Sequence, residues 1–261
     1  MTALDRAHAA MQGNERAQSI DRLRFYECLA DAELFVLLDQ EATNETISPD
    51  VFEVADGRFV LAFDLQERLA EFTGHVAPYA AMSGRVLVQM LDGQDIGLGV
   101  NLEVAPSSIL IPPDALGWLN RTLDQEPDRV EARIDGFTPP DGLPEALIGA
   151  LQAKLVRAAG LVQAAYLVGV RYEDGRLGHL LGFVGAPMPV QEALAKAAGE
   201  ALTFTGVAAG AMDVGFFAPD DPVVVRLVTC GICLDLPPPV ARQEQPRLAP
   251  GSDPAKPPIL R

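Results

Sequence analysis

Two short turns decide most of what this chain can become. Asp56-Gly57 lies between the strand-type runs Val51 to Val54 and Phe59 to Phe63. Glu173-Asp174-Gly175 lies between Val162 to Tyr172 and Gly178 to Val184. An Asp-Gly pair between β-type runs favours a tight hairpin, because glycine reaches the positive φ of such turns at little cost. Each half of the chain should therefore hold antiparallel strands, which a doubly wound parallel sheet does not.

Between these hairpins the apolar period is helical. Phe25, Cys28, Leu29 and Ala32 mark one face of a helix from about Glu15, and Leu65, Leu69 and Phe72 mark another, with Asp64 as its expected N-cap. A helix over Ser83 to Leu91 and one opened by Pro112-Pro113, with Leu116, Leu119 and Leu123 inward, complete the first half. Glu33 to Leu38, Gly97 to Leu102 and Ser108 to Ile111 read as further strands. The second half restarts at Pro144 with Leu147, Leu151 and Leu155 on one helical face; a later helix from Pro189 turns Val190, Leu194, Ala197 and Ala201 inward. Val214 to Phe217 and the β-branched run Val223 to Thr229 are expected as closing strands.

The expected fold class is α+β: two mixed α/β domains, each a small sheet with helices packed on it. Their expected bounds are 1–124 and 144–236, with 125–143 as linker and the proline-rich 237–261 as a disordered tail.

Charge narrows the partners. The chain carries 20 Lys and Arg against 36 Asp and Glu, a formal net charge of −16. Nucleic-acid affinity comes mainly from basic groups neutralising phosphates, so nucleic acid and anionic membrane surfaces are excluded as partners on this reading. A basic or neutral protein is the partner that fits. The most polarised stretch holds nine carboxylates and no Lys or Arg: Glu27, Asp31, Glu33, Asp39, Glu41, Glu45, Asp50, Glu53 and Asp56. It is the candidate acidic interaction face, with a plain solvated surface as the competing explanation. Three cysteines do not make a secreted disulfide framework, and the first residues lack the apolar core of a signal peptide, so a soluble cytoplasmic protein is expected.

The runs RFYECLADAELFVLLDQEA, VFEVADGRFVLAFDLQERLAEFTG and GLGVNLEVAPSSILIPPDALGWL resemble the N-terminal domain of the SseB (enhanced serine sensitivity) family. AAYLVGVRYEDGRLGHLLGFVG resembles the start of that family's C-terminal domain. Asn101 is followed by Leu102, where the family tends to place Pro. The resemblance implies a bacterial, cytoplasmic, two-domain protein linked by name to serine sensitivity. It carries no molecular activity with it.

Chemical motifs are few. Cys230-Gly231-Ile232-Cys233 could be a redox dithiol or half of a zinc site. A redox pair starts at a helix N-terminus, whereas here VVVRLVT precedes it as an expected strand. Cys28, His8, His75 and His179 do not complete four ligands at short spacing, so no metal is expected. His8 is expected in a frayed N-terminus. GLGVNL lacks the third glycine and the helix of a dinucleotide loop, so no cofactor is expected. Ser107-Ser108 reads as a turn. No catalytic residue can be assigned. The reading that follows is a non-catalytic protein acting through protein binding. A small-molecule sensor with an inter-domain pocket and a thiol protein using Cys230 and Cys233 are the alternatives.

Overall fold

A computed structural model describes residues 1–12, 15–41, 47–54, 57–126 and 133–236. The first half runs α1 (Ala3–Met11), α2 (Glu15–Asp31), β1 (Glu33–Leu37), β2 (Val51–Val54), β3 (Gly57–Phe63), α3 (Gln66–Thr73), β4 (Tyr79–Ser83), α4 (Gly84–Leu91), β5 (Gly97–Val100), β6 (Ile109–Ile111) and α5 (Pro113–Leu123). The second runs β7 (Ile134–Thr138), α6 (Glu145–Leu155), β8 (Ala164–Tyr172), β9 (Leu177–Val184), α7 (Met188–Phe204), β10 (Met212–Phe217), α8 (Val223–Cys230) and β11 (Ile232–Leu234). The protein is α+β, with two mixed sheets.

The hairpin logic holds in both halves. β2 and β3 pair antiparallel with Val54 opposite Gly57, whose φ of 134° only glycine adopts without strain. β8 and β9 pair antiparallel along eight positions. The first sheet has six strands, ordered β4-β1-β3-β5-β6, with β2 also on β3. The second has five, ordered β10-β9-β8-β11, with β7 also on β8. Each sheet also holds one parallel pair, β3 with β5 and β9 with β10.

Both sheets are covered on both faces. On the first, α1, α2, α4 and α5 bring Leu4, Phe25, Leu29, Leu87, Leu116 and Leu119 onto Val36, Val60, Leu98 and Val100, while α3 covers the other face with Leu69. On the second, α6 and α7 cover one face and α8 the other. The two halves share a side chain. Phe204, at the end of α7, is fully buried in the first half's core and meets Trp118 edge-on at 6.5 Å.

Four expectations need correction. Val223 to Thr229 is a helix, α8, not a strand. Val223, Val224, Leu227 and Cys230 face the sheet at helical spacing, while Val225 and Val228 stay exposed, so the 3.6-residue period outweighs β propensity. Asp64 does not cap α3; the N-cap position is Leu65, without a side-chain bond, and Asp64 turns to Arg68 and Thr2 instead. His8 is not in a frayed end but on α1, where Thr2 and Asp5 form a reciprocal capping box. The stretch 125–143 includes β7, a strand of the second sheet paired with β8. Residues 237–261 lie outside the described residues.

Candidate functional site

The residues that gather charge come from four helices. Glu27 and Asp31 stand one turn apart near the end of α2, on the same face. Arg85 follows Gly84 at the start of α4, and Lys154 and Glu200 lie toward the ends of α6 and α7. Gly84 is what lets α4 come so close: a Cβ there would lie 1.9 Å from the Leu29 carbonyl oxygen.

Packing of the two halves brings these five groups together. Arg85 Nη1 and Nη2 donate to Glu200 at 2.7 and 2.6 Å, and Nη2 also to Asp31 at 2.8 Å. Lys154 Nζ donates to Asp31 at 2.9 Å and to Glu200 at 3.0 Å, and lies 3.3 Å from Glu27 Oε1. Three carboxylates therefore share two cations. Burial pulls the Lys154 ammonium toward its neutral form, but the bond to Asp31 and the nearby carboxylates win and its pKa stands above the ordinary lysine value. Burial likewise pushes Asp31 and Glu200 up, and their bonds to the cations overcome it, so both end below the usual range. Glu27 goes the other way. Burial outweighs Lys154 and raises it; the buried Oε1 meets the Lys154 ammonium at 3.3 Å in an ion pair without the alignment of a hydrogen bond.

A cleft of about 500 Å³ opens beside this cluster. One wall is Glu27, Cys28, Asp31 and Glu33, another is Ala153 and Lys154 from the second half, and the third is Thr2, Leu4, Asp64 and Leu65. Burial raises the Cys28 thiol.

The third wall is fastened by a second polar network. Asp5, 1% exposed, accepts from Arg68 Nη2 at 2.6 Å and Nη1 at 3.1 Å, from Ser107 Oγ at 2.6 Å and from the Thr2 amide at 2.8 Å. The Arg68 bonds hold its pKa far below the carboxylate range. Thr2 Oγ1 donates to Asp64 at 2.5 Å. Asn101, fully buried at φ 51°, donates to Ser107 at 2.8 Å and accepts from the Asp64 amide at 3.0 Å. Ser107 is thus a buried strut between α1 and the β5–β6 loop.

The acidic stretch is not one face. Glu27 and Asp31 are absorbed into the ion cluster, and Glu33 is exposed at the cleft. Asp39 and Glu41 lie beyond the opposite end of β1, Asp39 beside the segment that carries Asp50, while exposed Glu53 sits opposite Arg58 across the β2–β3 pair. Glu45 and Asp56 lie outside the described residues. The two cysteines of CGIC part company as well. Cys230 ends α8 with its Sγ toward the Phe137 carbonyl, at the helix terminus opposite to that of a redox dithiol, and Cys233 is exposed on the edge strand β11. His75 Nδ1 donates to the Thr73 carbonyl at 2.6 Å, and His179 lies between the Asp141 and Ala211 carbonyls. Among the described residues no group of three or more His, Cys, Asp and Glu is placed to hold a metal ion, and no helix is long and apolar enough to cross a membrane.

Sequence reasoning did not pick out Arg85, Lys154 and Glu200. For two of them a signal was present: Lys154 interrupts the otherwise uncharged run ALIGALQAKLV, and Glu200 lies beside Ala201 and one turn from Ala197, positions that read as facing inward.

No curated protein and no solved structure matches this chain. Residues 4–118 match the family model described as SseB protein N-terminal domain, a span running from α1 into α5 and carrying the whole of the first sheet. By that match residues 4–118 form an SseB-type N-terminal domain.

Proposed function

We propose that this protein is a non-catalytic binding protein that holds a small amine-bearing molecule in the cleft between its halves. The observation that carries the reading is the lining. Glu27, Asp31, Glu33 and Asp64 line it with one cation, Lys154; Arg85 shares Asp31 and Arg68 holds Asp64 from behind the lining, while Glu33 pairs with no described cation. An ammonium group would give Glu27, whose buried Oε1 meets the Lys154 ammonium at 3.3 Å without hydrogen-bond alignment, a better-aligned donor, and Leu4, Leu65 and Ala153 offer apolar contact to the rest of the ligand. The volume falls within the ~300–1,000 Å³ range of small-molecule sites. The family's name makes serine the first amino acid to try, and a cytoplasmic setting suits three free cysteines.

A cleft bounded by both halves also couples ligand to their packing, which is the property a sensor needs. The test is a thermal-shift screen of free amino acids and small polyamines on the full chain. A ligand at a hundred times its Kd should stabilise by about 2.7 kcal/mol, a Tm rise of about 5–10 °C. If every amine leaves the melting temperature unchanged while acetylated or purely anionic analogues raise it, the reading is wrong.

A further inference from the structure

A second cavity, of about 390 Å³, lies at the far end of β1 from the cleft. Its body is apolar. Leu38 supports it, and Phe52 and Phe72 meet edge-on at 6.4 Å in its wall. Its rim is acidic. Asp39 and Asp50 both line it, fixed by a short antiparallel ladder in which the Asp39 amide donates to Ser48 at 3.0 Å and the Asp50 amide to Leu37 at 3.0 Å. Leu38 bridges Pro49 in the same ladder, so the two carboxylates are diagonal neighbours on adjacent extended segments.

No described cation pairs with either carboxylate. Arg58 sits opposite Glu53 and donates to the Gln94 carbonyl, and Arg68 on α3 is consumed by Asp5 and Asp64. The one titratable group on the rim besides the two acids is His75. A hollow with an aromatic wall and two uncompensated carboxylates at its mouth has the chemistry that receives a guanidinium. Its plane is weakly hydrated, it stacks on aromatic faces, and its donors fork toward carboxylates. Lysine's compact and strongly hydrated charge would gain less from the phenylalanines. The volume lies at the low end of the ~300–1,000 Å³ range of small-molecule sites and is ample for one side chain.

We propose that this cavity is the docking point for an arginine side chain presented by a basic segment of a partner protein. The proposal is independent of the cleft, with which it shares no residue.

Fluorescence anisotropy with a labelled peptide of arginines spaced by Gly and Ser tests it on the full chain. The arginine peptide should bind, and its lysine counterpart should bind several-fold more weakly. Asp39→Asn with Asp50→Asn should weaken the arginine peptide about tenfold, and raised salt should weaken it further. The same charge change made elsewhere, Asp114→Asn with Asp124→Asn, should leave binding within about twofold. The rim variants should keep the wild-type melting temperature, because neither carboxylate pairs with a described cation. Equal losses for the two variant pairs would reduce the effect to net charge and overturn the proposal. So would lysine and arginine peptides of equal affinity, or free arginine binding as tightly as the peptide.

Discussion

Lys154→Met removes one of the two cations that hold three carboxylates between the halves, while keeping most of the buried stem. Lys154 is 8% exposed, Glu200 6%, Glu27 15% and Asp31 18%. Removing one partner of a buried pair costs about 3–5 kcal/mol, mostly because the surviving charges stay buried and unpaired. Arg85 is a third exposed and remains to compensate, which puts the expected loss at the lower end, about 3 kcal/mol at pH 7. For a chain of this size that is a Tm drop of about 6–12 °C.

The pH dependence makes the prediction sharper. Asp31 and Glu200 are held below their ordinary values, so their stabilisation is complete above the unfolded carboxylate range and is lost as pH falls through the folded values. Glu27 is raised, so its charged form costs stability, and that cost disappears as pH falls through its folded value. Lys154 is raised too; its contribution is complete below the ordinary lysine value and fades only as pH rises through the folded one. Without Lys154 the carboxylates protonate more readily in the folded state. Acid should therefore relieve the variant more than the wild type, narrowing the gap to about 1 kcal/mol near pH 4. Urea denaturation followed by circular dichroism at the two pH values measures both. A deficit below about 1 kcal/mol at pH 7, or one that does not change with pH, would refute the claim that this cluster fastens the halves.

Further predictions follow from the same geometry. Asp5→Asn should destabilise by about 2–3 kcal/mol by leaving Arg68 without its bidentate partner, and because the Asp5 pKa is depressed, this difference is present above the unfolded Asp value and vanishes as pH falls well below it; denaturant titration across that window checks both. Phe204→Ala should cost about 3–5 kcal/mol and lower the melting temperature of the whole chain, since this α7 side chain is buried in the first half's core. Mild oxidant should leave Cys230 and Cys233 without an intramolecular disulfide in the native state, as read by mass spectrometry after alkylation, because one caps the inner face of α8 and the other is exposed on β11.

Local chemistry wrote the fold into the sequence plainly. Both antiparallel hairpins fall where an Asp-Gly pair stands in the sequence, and Leu116, Leu119 and Leu123, like Leu147, Leu151 and Leu155, turn inward as their spacing requires. What misled was a conflict between propensity and period. Val223 to Thr229 is rich in β-branched residues, and only the inward recurrence of Val223, Val224, Leu227 and Cys230 shows the helix. The candidate site was legible in its parts and not in its assembly. Glu27 and Asp31 stood out as part of an acidic run, yet Asp31's partners Arg85 and Lys154 lie 54 and 123 positions away in sequence, and Lys154 stands farther still from Glu27, all joined only by tertiary packing. The capping box of α1 was readable from Thr2 and Asp5, whereas the use of Asp5 to tie that helix to Arg68 and Ser107 was not.

The central claim is that the cleft holds an amine beside Glu27. Calorimetric titration of the strongest amine into the wild type, Glu27→Gln and Ala153→Trp tests it most directly. Ala153 is an exposed α6 residue on the cleft wall, so its replacement fills the space without removing a charge of the ion cluster. The account predicts saturable one-site binding to the wild type, at least about tenfold weaker binding to Glu27→Gln, and none measurable to Ala153→Trp. Undiminished binding to both variants would place the ligand elsewhere and contradict the account.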